Sequence, residues 1–263
     1  MSVGAAPVPA IELRGVTKAF SGKPVLRGVD LAIGASETTV ILGGSGSGKS
    51  VCMKHMIGLL RADAGVIRVF GRDVTRISER AWVEVRRDFG MVFQSAALFD
   101  SLSVYENVAY PIREHERWAE QRVAERVGWC LENVGLAGTE KLLPAELSGG
   151  MRKRVGVARA IVMAPKIILY DEPTTGLDPA NSRRIGELIQ RLQRELSVTS
   201  VVVTHDLELA FAIADRVALL KLGRIVVDGP AQEVRASENA DLREFIEGAD
   251  PHAPDTLGEK RHG

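Results

Sequence analysis

The chain has 263 residues, 45% of them apolar, which is enough to bury a sizeable core in one α/β domain or in a main lobe carrying a smaller one. Its 34 Lys plus Arg balance 34 Asp plus Glu, so no overall basic field exists to hold nucleic acid or anionic lipid by charge alone. Two cysteines, Cys52 and Cys130, leave no disulfide framework and no Cys/His metal spacing, and both read as core thiols.

The N-terminal MSVGAAPVPA has neither a cationic n-region nor a continuous apolar h-region, and no apolar run approaches the ~18 residues that span a bilayer. A cytosolic chain is expected. Two extended segments, AIELRGVTKAF and VLRGVDLAIG, come first and read as strands of an antiparallel edge sheet. ETTVIL is a short β-branched run, followed by a Gly-rich loop and by SVCMKHMIGLL, whose apolar positions recur at helical spacing. A strand-like GVIRVFG and a helical SERAWVEVRR precede a buried strand, FGMVF, that runs into Gln94. From there to about Pro165 the pattern is helical. SVYENVAY opens with an S-x-x-E capping box, Ser103 and Glu106, and RWAEQRVAERVGWCLENVG predicts a long amphipathic helix. Strands resume with KIILY and TSVVVTH around a helix opened by Asp178-Pro179, an N-cap followed by Pro at the first helical position. Alternation of this kind predicts a parallel, doubly wound sheet. A late hairpin, RVALLKLGRIVVDG, and two short helices lead to GADPHAPDTLGEKRHG, whose Pro, Gly and charge predict a tail that is mobile unless a partner holds it. The expected organisation is a discontinuous core over 1–94 and 165–236, a helical subdomain over 95–164 and a tail over 237–263.

Chemistry begins at GGSGSGKS, which matches G-x-x-x-x-G-K-S from Gly43 to Ser50. Glycines let the backbone curl so that successive N–H groups point at phosphate oxygens, at the positive end of the following helix. The expected phosphate-binding run is Gly43, Gly44, Ser45, Gly46, Ser47, Gly48, Lys49, Ser50 and Val51. Lys49 adds a cation for the β- and γ-phosphates, and Ser50 a hydroxyl for Mg²⁺. The second half of such a site needs an acid at the end of another buried strand, and IILYDE supplies two. Asp171 is the expected Mg²⁺ partner. Glu172 is placed to orient and deprotonate a water attacking the γ-phosphate.

A second Ser-Gly-Gly turn, LSGGM, stands about a hundred residues past the phosphate loop, ahead of RKRVGVARAIVMAP and some twenty residues before IILYDEPTTGLDP. In that combination, which covers the chain from about Ile11 to Asp228, the sequence resembles the ATP-binding cassette (ABC) ATPases. The resemblance implies an α/β fold with a RecA-like P-loop NTPase core, an antiparallel β edge and a helical subdomain, with ATP and Mg²⁺ bound. It also implies two copies of the chain facing head to tail, the Ser148, Gly149 and Gly150 nest of one closing over the ATP held by the other. Phe20 matches the aromatic that stacks on adenine. Gln94 matches the glutamine that touches Mg²⁺ and the attacking water, His205 the histidine at the γ-phosphate, and Asp178 the aspartate of a loop that reaches across the dimer. His55, His115, His252 and His262 have no such match and read as packing or surface residues. The run Arg152, Lys153, Arg154 reads as a solvated helix face. Met151 departs from the Gln that usually ends the signature.

The motif ELSGGM, together with GMVFQSAALFDSLSVYENVAYPIREH, is similar to the ATPases of Mla-type and Mce-associated phospholipid transporters. That similarity implies an integral-membrane permease docked on 94–113, with Asp100 and Glu106 on the exposed surface. It implies an Mce-type lipid-binding protein and a small cytosolic regulator in the complex, and a station on the cytoplasmic face of the inner membrane. A chromosome-maintenance ATPase would separate loop and signature by a long coiled coil, a translation-factor ATPase would carry two cassettes, and a P-loop kinase or GTPase would lack the signature. The remaining rival is an energising subunit for another cargo, such as an amino acid or a metal chelate.

Overall fold

The structure, a computed structural model, describes residues 8–249. In chain order it begins with β1 (Ile11–Phe20), β2 (Lys23–Ile33), β3 (Thr38–Leu42), α1 (Lys49–Met56), β4 (Ala64–Val69) and β5 (Arg72–Asp73). There follow α2 (Glu79–Arg86), β6 (Phe89–Val92), α3 (Val104–His115), α4 (Glu120–Asn133) and α5 (Gly149–Ile161). The last third holds β7 (Ile167–Asp171), α6 (Pro179–Leu196), β8 (Thr199–Thr204), α7 (Leu207–Ile213), β9 (Arg216–Lys221), β10 (Arg224–Pro230), α8 (Ala231–Arg235) and α9 (Ala240–Ala249). The stretch from residue 250, with His252 and His262, lies outside the described residues.

Two sheets result, in a mixed α/β fold. One is antiparallel, in the order β2-β1-β4-β5; the other has the order β10-β9-β3-β8-β7-β6. In the second, β3, β6, β7, β8 and β9 run parallel to their neighbours and β10 closes the edge as an antiparallel hairpin with β9. Its central strands are apolar on both faces, because side chains alternate across a strand and both faces are covered. Val40, Leu42, Ile168, Tyr170 and Val202 point into a core shared with α3, α4, α5, α6 and α7. Ile41, Ile167, Leu169, Val201 and Val203 point the other way, against α1 and the antiparallel sheet. Thus the second sheet is sandwiched, and its strand ends carry the loops.

Local chemistry sets the element ends. Ser103 caps α3 through its hydroxyl, which accepts from the Glu106 N–H, while the Glu106 carboxylate accepts from the Ser103 N–H. Glu106 is therefore half-buried in a cap and not part of a free charged surface, whereas Asp100 is exposed. The helix after the phosphate loop stops at Met56, short of the apolar run that continues to Leu60, because Gly58 at φ 70 packs on Trp82 of α2. A Cβ there would lie 2.2 Å from the indole, so only glycine fits this left-handed stop. Asn107 is fully buried on α3 and staples the preceding loop: its amide donates to Phe99 O, Leu102 O and Ser103 O and accepts from the Phe99 N–H. Helix α9 is tied down by Lys221, whose ammonium donates to Asp241 and Glu244.

Helix α5 lies against β6 at Gly90, where a Cβ would stand 2.4 Å from the Ala160 carbonyl oxygen. Gly90→Ala should therefore push α5 off the sheet and cost roughly 1–3 kcal/mol, the range for overpacking. Gly128, inside α4 with open space around it, should behave oppositely, Gly128→Ala adding about 0.5–1 kcal/mol. Thermal melts of the two variants check the opposite signs.

Candidate active site

Strand β3 ends at Leu42, and the chain then curls through Gly43–Gly48 into α1. Gly46 and Gly48 have φ of 75 and 107, and a Cβ on Gly43 would lie 2.5 Å from the Leu220 carbonyl and 2.6 Å from the Ser47 hydroxyl. Helix α1 has no side-chain cap and no acid in its first turn, so its leading N–H groups face the loop uncompensated. Beside them the Ser47 hydroxyl is buried with no hydrogen-bond partner. These groups would satisfy a phosphate oxygen, which is the fit expected of a polyphosphate cradle.

Lys49, 8% exposed, folds back over the loop and donates to Gly43 O at 2.6 Å and Gly44 O at 3.1 Å. Its ammonium also stands 3.5 Å from Glu172 Oε1. Ser50 donates its hydroxyl to Asp171 Oδ1 at 3.0 Å, bringing together the first helical turn of α1 and the end of β7. This hydroxyl–carboxylate pair is a hard-oxygen set of the kind that suits Mg²⁺. Burial raises the Asp171 carboxyl above the usual range, against the lowering by the Ser50 hydrogen bond. Gln94, after β6, is exposed, and its side chain makes no hydrogen bond among the described residues.

Glu172 is held from every side. His205 Nδ1 is 2.9 Å from its Oε2, and the hydroxyls of Thr204 and Thr175 each lie 3.3 Å from the same oxygen. Its backbone adopts φ 47, a left-handed conformation that a non-glycine residue holds only when its surroundings fix it. The Glu172 N–H donates to Val203 O at 2.9 Å.

The structure overturns the reading of Arg152–Arg154 as a solvated face. Lys153 is 6% exposed, and its ammonium donates to the Gln94 and Glu172 carbonyls, the latter at 3.3 Å. Arg154 is half-buried and donates to Val134 O and Gly135 O at the end of α4; Arg152 alone is exposed, and it donates to Leu147 O. Burial lowers the Lys153 pKa, opposed by Glu172 and Asp171. Nothing in the local pattern R-K-R separates these three, since the partners of Lys153 and Arg154 are distant in sequence.

Phe20 sits 43% exposed at the end of β1, opposite Lys23 of β2, with the Lys18 ammonium 5.6 Å from its ring centroid. Strand β2 in turn touches the phosphate loop, for a Cβ on Gly48 would meet Leu26 and Val25 at 3.0 and 3.3 Å. Ser148 caps α5 by accepting from the Met151 N–H, and the Gly149–Gly150 turn lies beside Leu177 and Asn181, next to Asp178. Asp178 is exposed and caps α6 through Asn181, whose hydrogen bonds hold its carboxyl below the usual range. No hydrogen bond or ion pair among the described residues joins Ser148, Gly149, Gly150 or Asp178 to the phosphate loop. The anion nest and the phosphate cradle are separate places in one copy.

Comparison with known proteins shows the family and the fold. The family model described as "ABC transporter" matches residues 26–175, more than half of the chain. The chain is 41% identical over 239 residues to the probable ribonucleotide transport ATP-binding protein mkl of Mycobacterium leprae, covering 91% of this chain and 69% of that protein. It is 38% identical to the intermembrane phospholipid transport system ATP-binding protein MlaF of Haemophilus influenzae, covering 90% of each. It is also 39% identical to the methionine import ATP-binding protein MetN of Rhizobium etli, over 96% of this chain and 70% of that one. Among solved structures, cbiO1 of Clostridium perfringens superposes with a TM-score of 0.81 at 30% identity over 90% of this chain and 95% of that one. A dimeric post-hydrolysis state of the cassette MJ0796, bound to ADP and Pi, superposes with a TM-score of 0.77 at 31% identity, over 84% of this chain and 98% of that one.

The curl of the phosphate loop depends on the space beside Gly43. Gly43→Ala should remove nucleotide binding while leaving most of the fold, since its Cβ would strike the Leu220 carbonyl and the Ser47 hydroxyl. Titration with a fluorescent ATP analogue checks this, and wild-type affinity would show that the curl does not hold the phosphates.

Proposed function

The chain belongs to the ABC transporter family, and on that premise we propose that it works as a head-to-tail homodimer that clasps two Mg·ATP and drives an integral-membrane permease, with phospholipid as cargo. The ATPase activity is that of the family. The observation that carries the dimer is the separation of the Ser148–Gly150 nest from the phosphate loop, which leaves each site half built in one copy. The dimeric MJ0796 cassette supports the same arrangement.

In this reading the curled backbone of Gly43–Gly48, with Ser45, Ser47 and Val51 around it, cradles the phosphates, and Lys49 turns from its loop carbonyls to the β- and γ-phosphates. Phe20 stacks on adenine, a contact of roughly 1–3 kcal/mol by analogy with base–aromatic stacking. Ser50, Asp171 and Gln94 would hold Mg²⁺, which when bound neutralises phosphate charge. Glu172 takes the proton of the attacking water on its carboxylate, and His205 and Thr204 orient that group. From the other copy, Ser148, Gly149 and Gly150 present a helix N-terminus to the γ-phosphate, and Asp178 reaches across beside them.

The permease would dock on 94–113, where Phe99 and Tyr110 are exposed next to Phe93 and pack tilted against each other with centroids 4.7 Å apart. No helix among the described residues is long and apolar enough to cross a membrane, so attachment to the cytoplasmic face of the inner membrane would come through that partner. An Mce-type lipid-binding protein and a small cytosolic regulator complete the proposed complex, and nucleic acid has no part in it. The likeness to MlaF, with ELSGGM and the segment after Gln94, supports phospholipid; the likeness to MetN supports an amino-acid importer as the alternative.

Ser148→Arg should leave ATP binding to a single copy intact, since Lys49 and Asp171 remain, yet block closure by filling the nest. Mixed with Lys49→Ala chains it should form dimers closed around one ATP, visible by size-exclusion chromatography. Loss of ATP binding by Ser148→Arg as complete as in Lys49→Ala would place the nest in its own copy's site and end the dimer argument.

Cargo is tested by what co-purifies from native membranes. A multi-spanning permease with an Mce-type protein and bound phospholipid is expected, and charge reversal at Asp100 should weaken that co-purification with ATP affinity unchanged. Glu106 is unsuitable for that purpose because its reversal removes the α3 cap. Recovery with an amino-acid permease and no lipid would overturn the lipid reading and leave the ATPase untouched.

A further inference from the structure

One face of α5 grips the loop that follows β6. Lys153 donates to Gln94 O, Gly156 leaves room for Ala96 at a would-be Cβ distance of 3.4 Å, and Arg159 donates to Ala96 O at 2.7 Å and Ala97 O at 2.8 Å. The gripped segment is strained: Ala96 and Ala97 have φ of 61 and 46 in succession. Such conformations persist where the surroundings over-determine them, and three contacts from one helix do so here.

Lys153 differs from its two neighbours on this face. Besides Gln94 O, its ammonium donates to Glu172 O, so a single buried cation joins the loop after β6 to the residue after β7. Glu172 is then fixed on both sides of its Cα, through its N–H by Val203 and through its carbonyl by Lys153. A shift of the Lys153 ammonium has to move the Glu172 backbone, the Gln94 backbone or both. At the N-terminus of the same helix stands the Ser148 turn, five residues and about 7–8 Å from Lys153.

We propose that Lys153 is a positioning residue that carries engagement of the Ser148 turn by the second copy's nucleotide to Glu172 and Gln94 of its own copy, so that each ATP site responds to the state of the other. The inference rests on the dimer reading above. Helix α5 serves the partner's site with its N-terminus and its own site with Lys153; rigid motion of the helix couples the two. A cation that merely satisfied two buried carbonyls would affect stability and leave this coupling alone.

The experiment uses the full chain with the membrane subunits that co-purify with it, and reads steady-state hydrolysis against Mg·ATP concentration. Wild type should hydrolyse cooperatively, with a Hill coefficient above 1. Lys153→Met should lower kcat about 10–100-fold, the usual scale for removing a residue that orients a reacting group. Its KM and its affinity for a fluorescent ATP analogue should stay near wild type, and its Hill coefficient should fall toward 1. Glu172→Gln serves as comparator, losing kcat while keeping cooperative ATP binding. Lys153→Arg, which can still donate to both carbonyls, should restore most of the rate and the cooperativity. Should the Met variant not fold, Lys153→Gln, which keeps a donor but not the charge or reach, carries the same comparison with Lys153→Arg. Wild-type kcat and Hill coefficient in Lys153→Met would overturn the proposal, as would loss of nucleotide binding in the Met and Arg variants alike. Non-cooperative hydrolysis by the wild type would likewise overturn the coupling, whereas failure of the dimer reading would show separately, as loss of ATP binding in Ser148→Arg.

Discussion

Two consecutive carboxylates at the end of a buried strand set the terms for the rest of this molecule. Asp171 and Glu172 leave β7 side by side in a region where an ionised group without partners is costly, so every neighbouring element has to bring a donor. Helix α1 brings Ser50 and Lys49 to the carboxylates, β8 and the residue after it bring Thr204 and His205, and α5 brings Lys153 to the Glu172 backbone carbonyl. Strand order β3-β8-β7 puts these donors around the acids, because β8 pairs with β7 and β3 with β8, all in parallel, so that their C-terminal ends lie along one side of the sheet. The left-handed backbone of Glu172 follows from the same requirement: its carbonyl and N–H are each claimed by a different element. The parallel sheet thus serves chemistry through where its strands stop.

That arrangement also underlies the proposal that two copies act together. Lys49 occupies itself with its own loop carbonyls, and the Ser47 hydroxyl and the first N–H groups of α1 have nothing to bond, so the phosphate side is prepared for an anion. The second nest, at the start of α5, differs in that Ser148 already caps it by accepting from the Met151 N–H, and it borders Leu177 and Asn181 instead of the phosphate loop. In the proposed dimer the two separated half-sites would be satisfied together, a second copy being turned against the first with polyphosphate between them.

Much of this was legible before any coordinates. The phosphate loop, the paired acids and the Ser-Gly-Gly turn are contiguous motifs whose chemistry depends on spacing along the chain, and the capping box at Ser103 and the Asp178-Pro179 helix start are likewise local. What escaped was long-range. Lys153 reads as one of three solvated cations because its partners lie 59 and 19 residues away, and Asn107 reads as an ordinary helical polar residue although it organises the loop before its helix. The early end of α1 was equally hidden, for it depends on Trp82 packing on Gly58 from another helix. Periodicity identifies which segments are helical; the contacts that stop or bury them come from elsewhere in the chain.

The one departure in the signature, Met151, shows where variation is tolerated. Ser148 accepts from the Met151 N–H, and the nest is otherwise made of Gly149 and Gly150 backbone, so the side chain at 151 is not part of it. Met151 instead packs, partly buried, against the core shared by the helices. A thioether adapts to an irregular surface with little constraint, which suits a position whose backbone is committed and whose side chain is not. The same logic extends to cargo. In the proposed site the groups that face the nucleotide are the phosphate loop, side chains around the paired acids, Phe20, Gln94 and the nest of the other copy, and none of them has a chemistry that would sense what the permease carries. Relatives whose names concern ribonucleotides, phospholipid and methionine are similar to this one chain, and under the proposed docking the discrimination between cargoes would enter through the exposed aromatic surface of 93–113 and the partner proposed to cover it.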